Sequence, residues 1–532
     1  MTKSLLTFAV SYLFSIVLFA QNSFSELNYR HIGPDGNRAV AAMSEPNNPL
    51  VMYIGAASGG IFKTDDGGAT WKPIFDKYEV SSIGSLAMSN TDTKQIWAGT
   101  GETFVIRPAH SVGNGIYKSN DGGKTWKNMG LEKTGRIGRI VIHPKNPDVV
   151  YACSMGHLYG PQQERGVYRT KDGGKTWEQI LFIDQNTGAN EIAIDPQNPD
   201  ILFAALWQVN INSWGLNSGG TSGGVYRSKD GGNTWQPLSE NIFGQKNVAV
   251  GKTSIAVAPN NPKIVYALFE MKAPALYRSE DGGESWKLMS NDHSLAERAP
   301  YYTRLTVSTD SSNEVHTIGV KHGISMDGGK TWNFGYKGGG DNHDLWINPV
   351  NANHQIMAHD GCASLTFNRW KTSKNIVLPI AQMYHVSTDN EVPYNVYGNR
   401  QDGYSYRGPS NNLSGRNIPL SAWEAVGGCE SGFAKPDPFD NNIIWSGCYD
   451  GGLDVFDMRT KHARDVRVWP EAGYGAKPAD VKFRWHWNFP LSFSPHTPHR
   501  VYVGSQFVHK SDDFGQSWQV ISPDLKIGRA HV

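Results

Sequence analysis

One octapeptide pattern, Ser/Thr-x-Asp-x-Gly-x-Thr/Ser-Trp, constrains this chain more than any other feature. It occurs seven times, at residues 64–71, 119–126, 170–177, 228–235, 279–286, 325–332 and 511–518. The residue types describe a turn. The aspartate accepts hydrogen bonds from its own turn backbone, the Ser/Thr hydroxyl adds a second local bond, the glycine tolerates positive φ, and the tryptophan ends the turn and packs inward. Short alternating strands precede the boxes, for example Gly115-Ile116-Tyr117-Lys118 and Gly166-Val167-Tyr168-Arg169, as expected of half-buried strands. The acids Asp66, Asp121, Asp172, Asp230, Asp281, Asp327 and Asp513 are therefore assigned to structure, not chemistry.

A second signal runs in step with the first. Pro-x-Asn-Pro turns precede strands that are apolar at nearly every position, as in Pro144–Pro147 before Val149-Val150-Tyr151-Ala152 and Pro196–Pro199 before Ile201-Leu202-Phe203-Ala204. Continuous apolar strands are buried on both faces. Counting looser forms, about ten such units recur roughly every 50 residues, the period of four-stranded propeller blades. The fold class expected is an all-β propeller. Seven units precede residue 375 and three follow, and Lys371–Asn375 carries no repeat signal. This division predicts a seven-bladed propeller over 21–375 and the first three blades of a second, truncated one over 376–526. The alternative is a single ten-bladed wheel.

Balanced charge, with 50 Lys+Arg against 49 Asp+Glu, excludes an electrostatic footprint for nucleic acid or anionic membrane. Residues 1–20 read as a signal peptide: Lys3, then an apolar run from Leu5 to a small residue, Ala20. No later stretch is long and apolar enough to span a membrane, so the mature chain is expected to be secreted, periplasmic or at the cell surface. Of four cysteines, Cys153, Cys362, Cys429 and Cys448, which allow three pairings, Cys429 and Cys448 are closest in sequence and are favoured for one bridge. Residues 527–532 read as a translated sequencing adapter, and the natural chain is expected to continue past them.

The motifs carry a resemblance. Arg30-His31-Ile32-Gly33-Pro34, Gly99-Thr100-Gly101-Glu102, Arg136-Ile137-Gly138-Arg139, Gly156-His157-Leu158-Tyr159-Gly160-Pro161, Asp341-Asn342-His343-Asp344-Leu345-Trp346, Arg407-Gly408-Pro409-Ser410 and Ile521-Ser522-Pro523-Asp524-Leu525 resemble a bacterial BNR/Asp-box family labelled sortilin N-terminal-like or "glycosyl hydrolase, BNR repeat". More distantly the chain is similar to xyloglucanase-type glycoside hydrolases and sortilin ectodomains. The xyloglucanase resemblance implies two carboxylates. The first would precede Gly59-Gly60, where this chain has Ala57; the second matches Asp450 in Tyr449-Asp450-Gly451-Gly452. A sialidase is not expected, because Tyr29-Arg30-His31-Ile32-Gly33-Pro34 carries insertions relative to the sialidase motif.

Remaining polar residues off the repeat are the site candidates. Catalytic candidates are Glu102, Asp344 and Asp450. Ligand-binding candidates are Arg107, His110, His343, Arg400, Asp402, Glu424 and Trp485. They fall where blade loops gather, and aromatic-plus-carboxylate loops suit sugars or peptides. Asp341, His343, His359 and Asp360 read as a hydrogen-bonded network at a strand end, with a divalent cation as the alternative; no metal-ligand spacing such as His-x-x-x-His is present, so no metal and no cofactor are expected. The reading is a secreted recognition module for a peptide, protein or polysaccharide, with a glycoside hydrolase using a divergent carboxylate pair as the alternative.

Overall fold

A computed structural model describes residues 31–105, 111–212, 215–335, 338–413, 418–471, 473, 475–477 and 479–525. The signal-peptide and adapter readings lie outside these residues. The described chain is almost wholly β: ten antiparallel sheets follow one another, each built on four strands in a meander. In the first, Ala39–Glu45, Asn48–Ala56, Ile61–Thr64 and Lys72–Pro73 lie side by side in that order. This is the architecture of β-propeller blades. No helix among the described residues is long and apolar enough to cross a membrane.

The two sequence signals explain each sheet. The apolar run becomes the second strand, as in Val150–Ser154 and Val265–Phe269, every residue of which is buried. The Asp box becomes the turn from third to fourth strand. In the second sheet, Ser119 Oγ donates to Asp121 (2.8 Å) and accepts from the Gly123 N–H (2.8 Å); Asp121 accepts from the Thr125 N–H (2.9 Å) and hydroxyl (2.6 Å). The box tryptophans pack against a preceding sheet: Trp177 Nε1 donates to the Met129 carbonyl and its ring meets Trp97 edge-on.

The described chain divides into two compact units, one within Asp35–Gln382 and the other comprising the described residues of 383–525 together with 31–34. Seven sheets lie in the first. Their first strands pack in succession, Ala39–Glu45 on Ile83–Met88 and onward to Asn342–Ile347, which packs back on Ala39–Glu45. An apolar cluster seals this joint, with Ala39, Met52 and Ile54 of the first sheet against Ile356, Leu365 and Ile376 of the seventh. Gly36 N–H donates to the Leu378 carbonyl (2.9 Å), tying the two ends of the unit together. The stretch 371–375, expected as a junction, is in part the outer strand Lys374–Ile376 of the seventh sheet, so the division falls after Gln382. Its pairing with Cys362–Thr366 is backbone bonding, which no repeat motif announces.

The other unit holds three sheets, beginning with Met383–Thr388, Ala434–Asp437 and Leu491–Phe493. Trp445, Leu453, Phe489 and Val501 form its largest apolar cluster. Cys429 and Cys448 are bonded, while Cys153 and Cys362 are buried thiols.

Candidate functional site

At the centre of Asp35–Gln382 the inner strands bring two guanidiniums and two carboxyl groups together. Arg139 donates to Glu191 (2.5 Å) and to Asp344 (3.2 Å); Arg304 donates to the same Asp344 oxygen (3.1 Å) and its Nε lies 3.7 Å from Glu191. Each residue comes from a different inner strand, so the network ties four sheets across the axis. Asp344 is 6% exposed and held by two guanidiniums.

Beside this network, Asp360 accepts from Tyr301 (3.0 Å) and bonds His343 Nε2 (2.6 Å), and Phe104 stacks on His343 with centroids 4.3 Å apart. Asp341 is raised from its ordinary value by burial, against a hydrogen bond from Tyr302. The His359 ring faces Ser364 (3.0 Å) and the Gly361 N–H (3.0 Å), and burial holds its pKa down at about 4. Of the four residues weighed for a metal, His343 and Asp360 pair with each other while Asp341 and His359 bond other groups, and no group of three potential ligands gathers among the described residues. Glu102 is 8% exposed, 3.5 Å from Arg38 and bonded to the Ser111 N–H (3.2 Å). A cavity of only about 20 Å³ remains here, beside Lys252, Tyr302 and Asn190, room for about one water. The centre of this unit is an axle. Arg107 and His110 lie outside the described residues.

The candidates in 383–525 divide differently. Glu424 bridges Arg407 (3.0 Å) and Lys461 (2.7 Å) at the outer strand of its sheet. Arg400 lies over the Tyr406 ring (5.0 Å), and the Asp402 N–H donates to Glu430 (2.9 Å). Asp450 and Trp485, singled out separately in the sequence, line one cavity of about 140 Å³ with Trp469, Glu471, Phe483 and Arg484.

This pocket is built from two segments. Cys448, bonded to Cys429, begins the turn Tyr449–Gly451, closed by the Cys448 N–H on the Gly452 carbonyl (2.7 Å). Asp450 sits in the left-handed region at φ 56°. Gly451 follows at φ 73°, and a Cβ there would lie 2.3 Å from Trp485, so only glycine lets the indole pack on the turn. The second segment is the connection 466–490, longer than connections such as 74–82 and 426–433. Its Glu471 accepts from the Lys482 N–H (2.9 Å); buried Gln506 accepts from the Arg484 N–H (2.8 Å) and donates to the Lys482 carbonyl (3.1 Å). Behind the pocket, His509 packs against Phe483 and Trp485, its pKa pushed down to about 4 by burial. Arg484 is bridged to Asp524 (3.3 Å), and the Lys482 ammonium lies 3.3 Å from the centroid of Trp469. Sequence reasoning missed Trp469, Glu471, Phe483 and Arg484. The available signal was the length of a connection without repeat motifs, because long ordered loops are commonly functional.

The chain is similar to several known proteins. Residues 114–242 match the family model described as Sortilin-Vps10, sortilin, neurotensin receptor 3. A xyloglucanase from a Paenibacillus species is 26% identical over 226 residues, 38% of this chain and 20% of the relative. An oligoxyloglucan-reducing end-specific xyloglucanase from Emericella nidulans is 26% identical over 297 residues, 48% of this chain and 34% of the relative. The chain thus covers well under two thirds of the length of these relatives. The photosystem II assembly lipoprotein Ycf48 of Trichormus variabilis is 25% identical over 240 residues, 36% of this chain and 70% of the relative. Among solved structures, an ancestral GH74 enzyme superposes with a TM-score of 0.45 at 13% identity, covering 93% of this chain and 78% of its own.

Proposed function

We propose that this protein is an exported tandem propeller, seven-bladed over 35–382, that takes a polysaccharide into the Asp450–Trp485 pocket and acts on it as a glycoside hydrolase with a divergent carboxylate pair, Asp450 and Glu471. The observation carrying this reading is that two carboxylates and three aromatic rings, Trp469, Phe483 and Trp485, line one cavity. Aromatic faces stack on sugar rings. A carboxylate pair is the machinery of glycosidic hydrolysis, one group protonating the leaving oxygen and the other activating water or attacking the sugar. Two relatives named as xyloglucanases support the same substrate class. The return of the seventh sheet onto the first supports seven blades over a ten-bladed wheel.

A second reading, recognition without cleavage, is favoured by Ala57, a buried residue standing where the xyloglucanase resemblance implies an acid. Reducing-end release from xyloglucan and other β-glucans separates the two. The expected result is hydrolysis that falls about 10²-fold or more in Asp450→Asn and Glu471→Gln, the scale of general acid–base catalysis. Binding without hydrolysis would establish the recognition reading. Hydrolysis untouched by either substitution would place the site elsewhere.

A further inference from the structure

We propose that the pocket selects an amine-bearing sugar, a glycan whose units carry a free protonated amino group. This rests on the polysaccharide reading above and narrows it. The lining combines two acids, Asp450 and Glu471, with the rings of Trp469, Phe483 and Trp485. The guanidinium in the lining, Arg484, is bridged to Asp524 at 3.3 Å, so its charge is offset, while Asp450 and Glu471 are the acids of the lining. Aromatic faces beside carboxylates attract ammonium groups through the ring quadrupole and Coulomb attraction together. A ligand ammonium adds to the stacking of a sugar a countercharge that a neutral sugar lacks.

The chain already uses these rings as a cation platform. Lys482 holds its ammonium 3.3 Å from the Trp469 centroid and 5.3 Å from that of Phe483. No carboxylate lies in ion-pair distance of Lys482 Nζ among the described residues. Its side chain is exposed, so a ligand ammonium would compete with it for the Trp469 ring. A peptide lysine offers similar chemistry. The sugar is favoured because flat rings on the lining match the faces of pyranose units as well as the charge.

The experiment is a tryptophan-fluorescence titration of the full chain at about pH 6, below the ordinary range of amines. The probes are a β-1,4-glucosamine tetramer, its N-acetylated counterpart, cellotetraose and a tetralysine peptide. The expected result is at least about tenfold tighter binding of the glucosamine tetramer than of either neutral tetramer, a preference that added salt weakens. Glu471→Gln should bring the ratio down toward one. Lys482→Ala should raise it, because a competing cation is gone. Equal or tighter binding of the neutral tetramers overturns the inference and leaves the polysaccharide reading standing. Tetralysine binding as tightly as the glucosamine tetramer overturns the sugar assignment. Failure of every oligosaccharide to bind removes both readings.

Discussion

Single residues in this protein do one of two kinds of work, and both are testable. Ser119 is 1% exposed and its hydroxyl serves the Gly123 N–H and Asp121 at once. Ser119→Ala leaves a buried donor unpaired, so chemical denaturation should report a loss of about 1–3 kcal/mol. Asp344 holds two guanidiniums. Asp344→Ala leaves both guanidiniums to share Glu191 alone, and the expected cost is about 3–5 kcal/mol with the fold otherwise kept. Lys252 is pushed down to about 7 by burial and by nearby Arg304. Its folded value lies below the ordinary lysine value, so between about pH 7 and 10.5 the unfolded chain binds the extra proton and stability rises with pH. Lys252→Met should abolish that rise and melt higher at neutral pH; a melting curve with wild-type pH dependence would contradict the assignment. The Asp boxes were legible because their bonds span at most four residues. The Arg139–Asp344 contact spans 205 positions, and no local pattern announces it.

At the scale of elements, the box turns set the acid behaviour. Asp230 is held at about 2 by the Thr234 hydroxyl, the Thr234 N–H and the Ser228 hydroxyl, and Asp513 likewise by Ser517 and Ser511. Folded values below the ordinary aspartate value mean stability that is complete above about pH 4 and lost as pH falls toward 2. The box turns' share of the melting temperature should be flat above that window and drop steeply within it. The turn Tyr449–Gly451 is the pocket's most constrained element. Gly451→Ala places a methyl into Trp485 at positive φ, so ligand binding should fall while the far-ultraviolet spectrum stays native. Asp450 and Trp485 were visible in the sequence as off-repeat residues, but their meeting was not. It depends on the path of 466–490, which has no periodicity to read.

For the whole molecule, the repeat count anticipated ten four-stranded sheets because each motif pair specifies one sheet almost independently of its neighbours. The axle at the centre of Asp35–Gln382 could not be read the same way. Residues from four inner strands meet face to face there, and the candidates Glu102 and Asp344 are both buried beside arginines. The pocket on 383–525 is the proposed place where ligand and protein meet. Trp469 tests this most directly, since it is 43% exposed and serves no core. Depletion of wild-type protein and Trp469→Ala from solution by insoluble polysaccharide should show retention of the first and a loss of binding of about tenfold or more in the second. Undiminished retention of Trp469→Ala would contradict the account.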